Sequence, residues 1–311
     1  VKAIAFSHFG GPEVLGVVDL PEPHAGPGEV RLSVAAAAVN PTDTGLRAGL
    51  NPRPFEYPPP YVVGMDAAGI IDEVGEGAPW SVGDQVMAIV LPTGPHGGAY
   101  ASQVVVPADS VARIPANSTL VEASTLPMNG LTARLSLDQL GLQAGQTLAV
   151  TGAAGAYGGY VIQLAKHDGL RVIADAAEAD EPLVRSFGAD VIVRRGDDVA
   201  ERIREIEPKG VDGVADGAVL DGEVLPAIKD GGGLAVVRGW TGPTERGIEL
   251  HQTRVYSVAR DHGALDRLRE QVEAGELTLR VAATFGPADA AEAHRRLEAG
   301  GVRGRLVISF R

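Results

Sequence analysis

The spacing of apolar residues changes near residue 118. Before that point they fall in short runs, at 30–39, 69–74, 85–90 and 103–106, separated by clusters of proline and glycine. Runs of this length bounded by turn residues predict β-strands. Pro21-Glu22-Pro23 and Gly26-Pro27-Gly28-Glu29 predict turns, since proline fixes φ and glycine permits positive φ. Gly83-Asp84 predicts a turn feeding the strand at 85. The stretch from Asn51-Pro52-Arg53-Pro54 to Pro58-Pro59-Pro60 excludes both a helix and the centre of a sheet, and reads as a surface loop.

Beyond 118 the texture alternates. Helical spacing runs over 120–140, broken by Pro127 and Asn129-Gly130. Strands are predicted at 147–151, 171–174, 191–193, 213–215 and 234–237, with helices at 155–168, 181–187 and 199–207. Strands alternating with helices of this length imply βαβ units and a parallel sheet. The tail carries amphipathic helices at 263–274 and 288–298 and a last strand at 304–310. Nothing repeats at the period of a solenoid, and the tail from 256 belongs to neither pattern by itself.

Composition narrows the chemistry. A chain of 311 residues suits two domains. No apolar run approaches the ~18–20 residues of a membrane helix. Val1-Lys2-Ala3-Ile4-Ala5-Phe6 reads as a strand rather than a signal peptide, which makes the cytoplasm the expected location. A net charge of −13 opposes binding to polyanions, so neither nucleic acid nor an anionic membrane is an expected partner. The absence of cysteine excludes disulfides, thiolate catalysis and cysteine-ligated zinc or iron–sulfur sites. Histidines 8, 24, 96, 167, 251, 262 and 294 lack the close spacing of a metal motif, and no metal is expected.

One segment carries a specific chemistry. Leu148-Ala149-Val150-Thr151 leads into Gly152-Ala153-Ala154-Gly155-Ala156-Tyr157-Gly158-Gly159. A strand here delivers the chain to a tight turn that opens a helix. The helix start offers unpaired N–H groups and a positive dipole end, and small residues let a pyrophosphate approach the backbone. Asp175 lies twenty positions beyond Gly155, at the end of the next strand. A carboxylate there accepts the ribose hydroxyls of NAD and repels the 2′-phosphate of NADP. Glu178, Asp180 and Glu181 add negative charge, whereas Arg194 and Arg195 either reach a 2′-phosphate or are solvated surface groups.

Ordered motifs extend this reading along the chain. They are Val39-Asn40-Pro41-Thr42-Asp43 with Arg47, Gly64-Met65-Asp66-Ala67-Ala68-Gly69 running to Val74-Gly75, and Val82-Gly83-Asp84-Gln85-Val86. Leu131-Thr132-Ala133, the turn at 151–159 and Gly304-Arg305-Leu306-Val307 complete the set. With them the chain resembles, nearly end to end, the zinc-independent medium-chain dehydrogenase/reductases of the quinone oxidoreductase group.

The resemblance implies an α/β fold: a GroES-like β-rich catalytic domain from 1–117 and 256–311, and an inserted Rossmann domain, a doubly wound parallel sheet, from 118–255. It also implies an active cleft at their junction. Asn40 and Met65 stand where the zinc branch has ligands, so the implied reaction is metal-free hydride transfer to a quinone or an α,β-unsaturated carbonyl. Charge then develops on an enolate or hydroquinone oxygen, which takes a proton from a donor or from solvent. Asn40 and Asp43 are the implied catalytic residues. Asn40 touches the nicotinamide or polarises the acceptor, or is a turn residue before Pro41; Asp43 and Arg47 alternatively brace the loop as an ion pair. Thr44-Gly45-Leu46 stands where relatives carry a tyrosine, leaving Tyr57 or Tyr61 as substitutes or as packing.

For the cofactor, the resemblance adds Met128, Thr132, Gly239 and Trp240 at the nicotinamide end. The turn itself contributes Thr151, Gly152, Ala153, Gly155, Ala156, Tyr157 and Gly158, and Asp175 or Arg194 meets the adenosine ribose. Family habit implies NADPH, while Asp175 followed by Ala176-Ala177-Glu178-Ala179 favours NADH. A small-molecule acceptor and a homodimer, formed through a sheet-edge strand near 231–238, are the implied partners. Two other functions remain open: a dedicated biosynthetic enoyl reductase acting on a carrier- or CoA-bound intermediate, and a nucleotide-binding protein without turnover.

Overall fold

A computed structural model describes residues 1–50 and 53–311. Asn51 and Pro52, part of the proline-rich stretch, lie outside the described residues. The chain divides into two compact units, one of Val1–Met128, Tyr256–Ala274 and Leu279–Arg311, the other of Asn129–Val255 and Gly275–Thr278.

The first unit is built on the long strand Glu29–Ala38, which pairs with Asp66–Val74 and Gln103–Pro107 and, at its end, with the last strand Arg305–Ser309. Gln85–Ile89, Val111–Arg113 and Val281–Phe285 complete a seven-stranded sheet. Gly16–Asp19, Lys2–Phe6 and Tyr61–Val62 form a second, three-stranded sheet. Ile4, Leu32, Ile71, Val86 and Leu306 lie in their shared core. Pro41–Arg47, which shows no apolar period, is a helix; Pro41 at its start needs no N–H partner. Val281–Phe285 likewise escaped the sequence reading, because only its parallel pairing with Arg305–Ser309 makes it a strand.

The second unit holds six parallel strands in the spatial order Val191–Arg194, Arg171–Ala176, Thr147–Thr151, Val211–Asp216, Ile228–Val236 and Glu249–Gln252. In chain order this is 3-2-1-4-5-6, the doubly wound arrangement. Helices Ala156–His167, Glu181–Ser186 and Val199–Ile206 connect the strands.

Several sequence expectations need correcting. Helix Pro127–Leu140 runs through Asn129-Gly130 without a break, because both residues are packed inside and burial overrides their poor helix propensity. The strand near 231–238 is not an edge: Ile228–Val236 is paired on both sides, and Glu249–Gln252 is the edge. The units part after Met128 rather than after 117, since Leu120–Ala123 packs on strands of the first unit. Residues Gly275–Thr278 join the second unit, where the Thr278 N–H donates to Gln163 Oε1 at 2.9 Å. Among the described residues, no helix is long and apolar enough to cross a membrane.

One close approach sets the geometry of the large sheet. A Cβ at Gly69 would lie 2.1 Å from the Ser33 carbonyl oxygen, where the pairing with Glu29–Ala38 shifts register. Gly69→Ala should therefore lower stability by about 1–3 kcal/mol, as overpacking does, and denaturant unfolding of the two proteins measures it.

Candidate active site

In the second unit, Thr147–Thr151 and Val211–Asp216 are neighbours from which the chain winds in opposite directions. The ends of two such strands form the crevice in which doubly wound sheets bind ligands. The turn after Thr151 lies there. Gly152 adopts φ +65°, and a Cβ on it would lie 2.8 Å from the Gly217 carbonyl carbon, so two backbones touch where no side chain fits. At Gly158 a Cβ would lie 2.5 Å from the Gly152 carbonyl oxygen, which seats the helix on its own turn. Gly155 is the N-cap of helix Ala156–His167 and has no side chain to compete for the N–H groups of Ala156, Tyr157 and Gly158.

Two buried carboxylates hold this turn. Asp175 Oδ1 accepts from the Ala153 N–H at 2.9 Å, and the Gly152 N–H also donates to it. Burial raises the Asp175 pKa against the opposing pull of these N–H groups. Asp175 is thus a brace for the turn, with backbone N–H groups bonded to it as well as a place at the end of the second strand. On the other side the Thr151 hydroxyl donates to Asp216 Oδ1 at 2.5 Å, and Asp216 also accepts from the N–H groups of Ala218 and Asp221. The loop it fixes carries Val219 at φ +61° and Asp221 at φ +53°, a left-handed backbone that a β-branched residue adopts only under constraint.

The remaining predicted cofactor residues are spread along this unit and at the end of the first. Arg194 is exposed, lies opposite Ala176 in register, and reaches Glu178 Oε2 at 3.4 Å. Arg195 is exposed beside it, its N–H donating to the Ala176 carbonyl at 2.9 Å. Gly239 has φ +74° with open space around its Cα. Trp240 packs against Gly222, Gly242 and the core of the second unit, as an ordinary packing aromatic would. Thr132 is buried in helix Pro127–Leu140, its carbonyl accepting from Ser136. Tyr157 donates its hydroxyl to Ser136 Oγ at 2.7 Å.

The first unit contains a separate buried polar cluster around Asn40. The Asn40 amide nitrogen donates to Asp66 Oδ2 at 2.8 Å, and its oxygen accepts from Arg305 Nη2 at 2.7 Å. Arg305 also pairs with Asp66 Oδ2 at 2.8 Å and donates to the Thr125 carbonyl. Asp66 Oδ1 accepts the Met128 N–H at 2.6 Å, at the start of helix Pro127–Leu140. Asn40 is wholly buried, and both ends of its amide are engaged by the ion pair.

Asp43 anchors a second chain of hydrogen bonds. Its carboxylate accepts from the Asn40 N–H, the Gly64 N–H and the Tyr100 hydroxyl, at 2.8, 3.1 and 3.2 Å. Tyr100 meets His294 Nε2 at 3.2 Å, and Arg47 Nη1 donates to His294 Nδ1 at 3.1 Å. With Nδ1 accepting, the proton of a neutral imidazole resides on Nε2, where it donates to the Tyr100 oxygen. Arg47 ends the chain on Glu298 at 2.5 Å, so its ion-pair partner is Glu298 and not Asp43. Burial raises the Asp43 pKa to about 7 and lowers that of His294 to about 3, the latter helped by the Arg47 charge.

The two substitute tyrosines are packing groups. Tyr57 is tied through its hydroxyl to Val62 and Pro92, and burial pushes its pKa up to about 12. Tyr61 stacks on Phe55 with ring centroids 4.2 Å apart. Among the described residues, no group of three or more His, Asp or Glu is arranged to hold a metal ion.

Asp66 and Arg305 lie within the quoted motifs without a role that the sequence shows, His294 stands out only as one of the histidines, and Tyr100, Ser136 and Asp216 carry no signal. Their partners are distant in sequence, and no local pattern marks them.

Known proteins resemble the chain along its length. Residues 26–116 match the alcohol dehydrogenase GroES-like domain, and 187–308 match a zinc-binding dehydrogenase family. An Arabidopsis thaliana protein named NADPH-dependent alkenal/one oxidoreductase, chloroplastic, is 30% identical over 99% of this chain and 79% of its own. A Pseudomonas aeruginosa quinone oxidoreductase is 30% identical over 99% of both chains. The solved structure of a mycobacterial protein complexed with NADPH superposes with a TM-score of 0.87 at 30% identity, over 99% of this chain and 100% of that one.

The buried Asp43–His294 chain has a measurable signature. Asp43, raised from 3.8 to about 7, binds a proton in the folded state that the unfolded state has lost, so its contribution to stability falls as pH rises through that window. His294, lowered from 6.5 to about 3, does the reverse: its contribution is lost as pH falls from 6.5 towards 3. In the wild type the two oppose each other between about pH 4 and 6.5. Relative to it, Asp43→Asn should show stability rising with pH across this window, and His294→Gln stability falling. The limiting slope is about 1.4 kcal/mol per pH unit, measured by urea unfolding at a series of pH values.

Proposed function

Since this chain belongs to the zinc-independent medium-chain dehydrogenase/reductase superfamily, in its quinone oxidoreductase-like group, we propose that it is an NADPH-dependent reductase of α,β-unsaturated carbonyl compounds and quinones. The observation that carries this reading is the turn after Thr151, placed at the switch point of a 3-2-1-4-5-6 sheet, with glycine at the two positions, 152 and 158, where a Cβ would strike backbone.

A nicotinamide dinucleotide, when bound, would supply a hydride for an electron-poor acceptor. The N–H groups at the start of helix Ala156–His167 would hold its pyrophosphate, and Gly152 and Gly155 would leave its approach open. Asp175 and Asp216 fix the turn, so little reorganises when the anion arrives. Around Asn40, the ion pair of Asp66 and Arg305 is internally neutral, so the Asn40 turn adds little net field to an uncharged acceptor. Tyr57 and Tyr61 are committed to packing, and solvent is the proposed source of the proton that quenches the enolate or hydroquinone oxygen.

The choice of NADPH rests on charge placement. With Asp175 turned into the glycine turn, the groups exposed at the ends of the second and third strands include Arg194 and Arg195. Two guanidinium groups there suit a 2′-phosphate better than two ribose hydroxyls.

Oxidation of NADPH followed at 340 nm with a quinone and, separately, with an alkenal tests the activity. Tight cofactor binding with no turnover across both acceptor classes would overturn it in favour of a non-catalytic nucleotide-binding protein. Arg194→Ser combined with Arg195→Ser should raise the KM for NADPH about tenfold or more and leave the KM for NADH nearly unchanged. An equal effect on both cofactors removes the case for a 2′-phosphate site.

A further inference from the structure

Residues 155–159 form the first turn of the helix that would cradle the pyrophosphate, and three of them are glycine: Gly155, Gly158 and Gly159. Such a turn lets an anion approach, but glycine also gives it conformational freedom that must be lost before its N–H groups point at a ligand. Ala156 has no polar side chain to anchor it. Tyr157 is the residue of this turn with a long side chain, and that side chain is tied down. Its hydroxyl donates to Ser136 Oγ at 2.7 Å, on helix Pro127–Leu140. Ser136 is itself completely buried, donates to the Thr132 carbonyl at 3.0 Å, and meets Thr253 Oγ1 at 3.0 Å. The Tyr157 ring passes against Gly217, where a Cβ would lie 2.8 Å from Tyr157 Cδ1. The same Gly217 backbone presses on Gly152. One side chain thereby links the helix start, the loop after the fourth strand and a second helix.

We infer that Tyr157, through its hydrogen bond to Ser136, is a positioning residue that sets the affinity for the pyrophosphate of the cofactor while its phenol stays clear of it. The inference rests on the reductase reading above. The phenol holds the first turn in the conformation that the anion needs, so the ordering is done before binding. Loss of the hydroxyl leaves the packing of the ring largely intact and returns freedom to the glycines.

The test compares two ligands that differ in the part concerned. NADPH carries the pyrophosphate; 2′-AMP carries the adenosine end and its 2′-phosphate without it. In Tyr157→Phe the dissociation constant for NADPH, from the quenching of protein fluorescence, should rise about three- to tenfold, while that for 2′-AMP changes less than twofold. The KM for NADPH should rise with it by more than kcat falls. Ser136→Ala removes the other end of the same bond by a smaller change. The double variant should bind NADPH no more weakly than the worse single variant, because both act through one bond. An NADPH dissociation constant within twofold of wild type in both single variants overturns the inference, as does equal weakening of both ligands, which would mark a loss of structure alone. If the wild-type protein binds no NADPH, the proposed function itself fails, an outcome distinct from the first two.

Discussion

The backbone at the switch point is held by carboxylates that are buried in the protein and hydrogen-bonded mainly to N–H groups. Asp175 receives the N–H groups of Gly152 and Ala153; Asp216 receives those of Ala218 and Asp221, with the Thr151 hydroxyl. A buried carboxylate is costly unless donors surround it, and here the donors are the peptide groups whose conformation matters. Each side chain therefore stabilises one particular path of the backbone. The close contact of Gly152 with Gly217, the left-handed residues at 219 and 221, and the glycine-rich helix start all depend on those paths.

The first unit applies the same principle with charge compensation added. Asp66 and Arg305 are buried, but each charge is shared over several partners: Asn40, the Met128 N–H, the Thr125 carbonyl and each other. A pair of this kind contributes little net stability over an apolar core, yet removing one member leaves an uncompensated charge. Its effect is on geometry. It joins the Asn40 turn, the strand Asp66–Val74, the last strand and the start of helix Pro127–Leu140 at one point. The adjoining chain from Asp43 to Glu298 ties helix Pro41–Arg47 to helix Ala290–Glu298. The C-terminal tail is thereby an integral part of the first unit, with side chains as well as a strand in its core.

Much of this was legible in the sequence where the cause is local. The alternation of strand and helix between 147 and 216 follows from apolar spacing, and the turn after Thr151 from a strand, small residues and a helix in succession. The reading failed where burial or distant pairing decides. Asn129-Gly130 looks like a helix breaker, but packing keeps the helix continuous. Helix Pro41–Arg47 has no apolar stripe, and Val281–Phe285 is a strand only because the last strand lies beside it. The polar clusters were the least legible part. Arg305 meets Asp66 across 239 positions, and Tyr100 meets His294 across 194, so no spacing rule connects them.

Asp175 shows how the same residue, correctly located from sequence, can carry opposite functional meanings. Its position at the end of the second strand fits a ribose acceptor, and by that logic the cofactor would be NADH. The structure adds where its oxygens find their donors. With N–H groups of the turn already bonded to it, Asp175 has less capacity left for ribose hydroxyls, and the charge that would repel a 2′-phosphate is buried in the turn. The electrostatics outside the strand ends then come from exposed groups, Arg194 and Arg195 against Glu178. The Glu178–Arg194 contact is long and solvent-exposed, so it holds the arginine only weakly. Around the second and third strands, then, the exposed charge lies on the two arginines, and the acidic residue after the second strand shapes the turn.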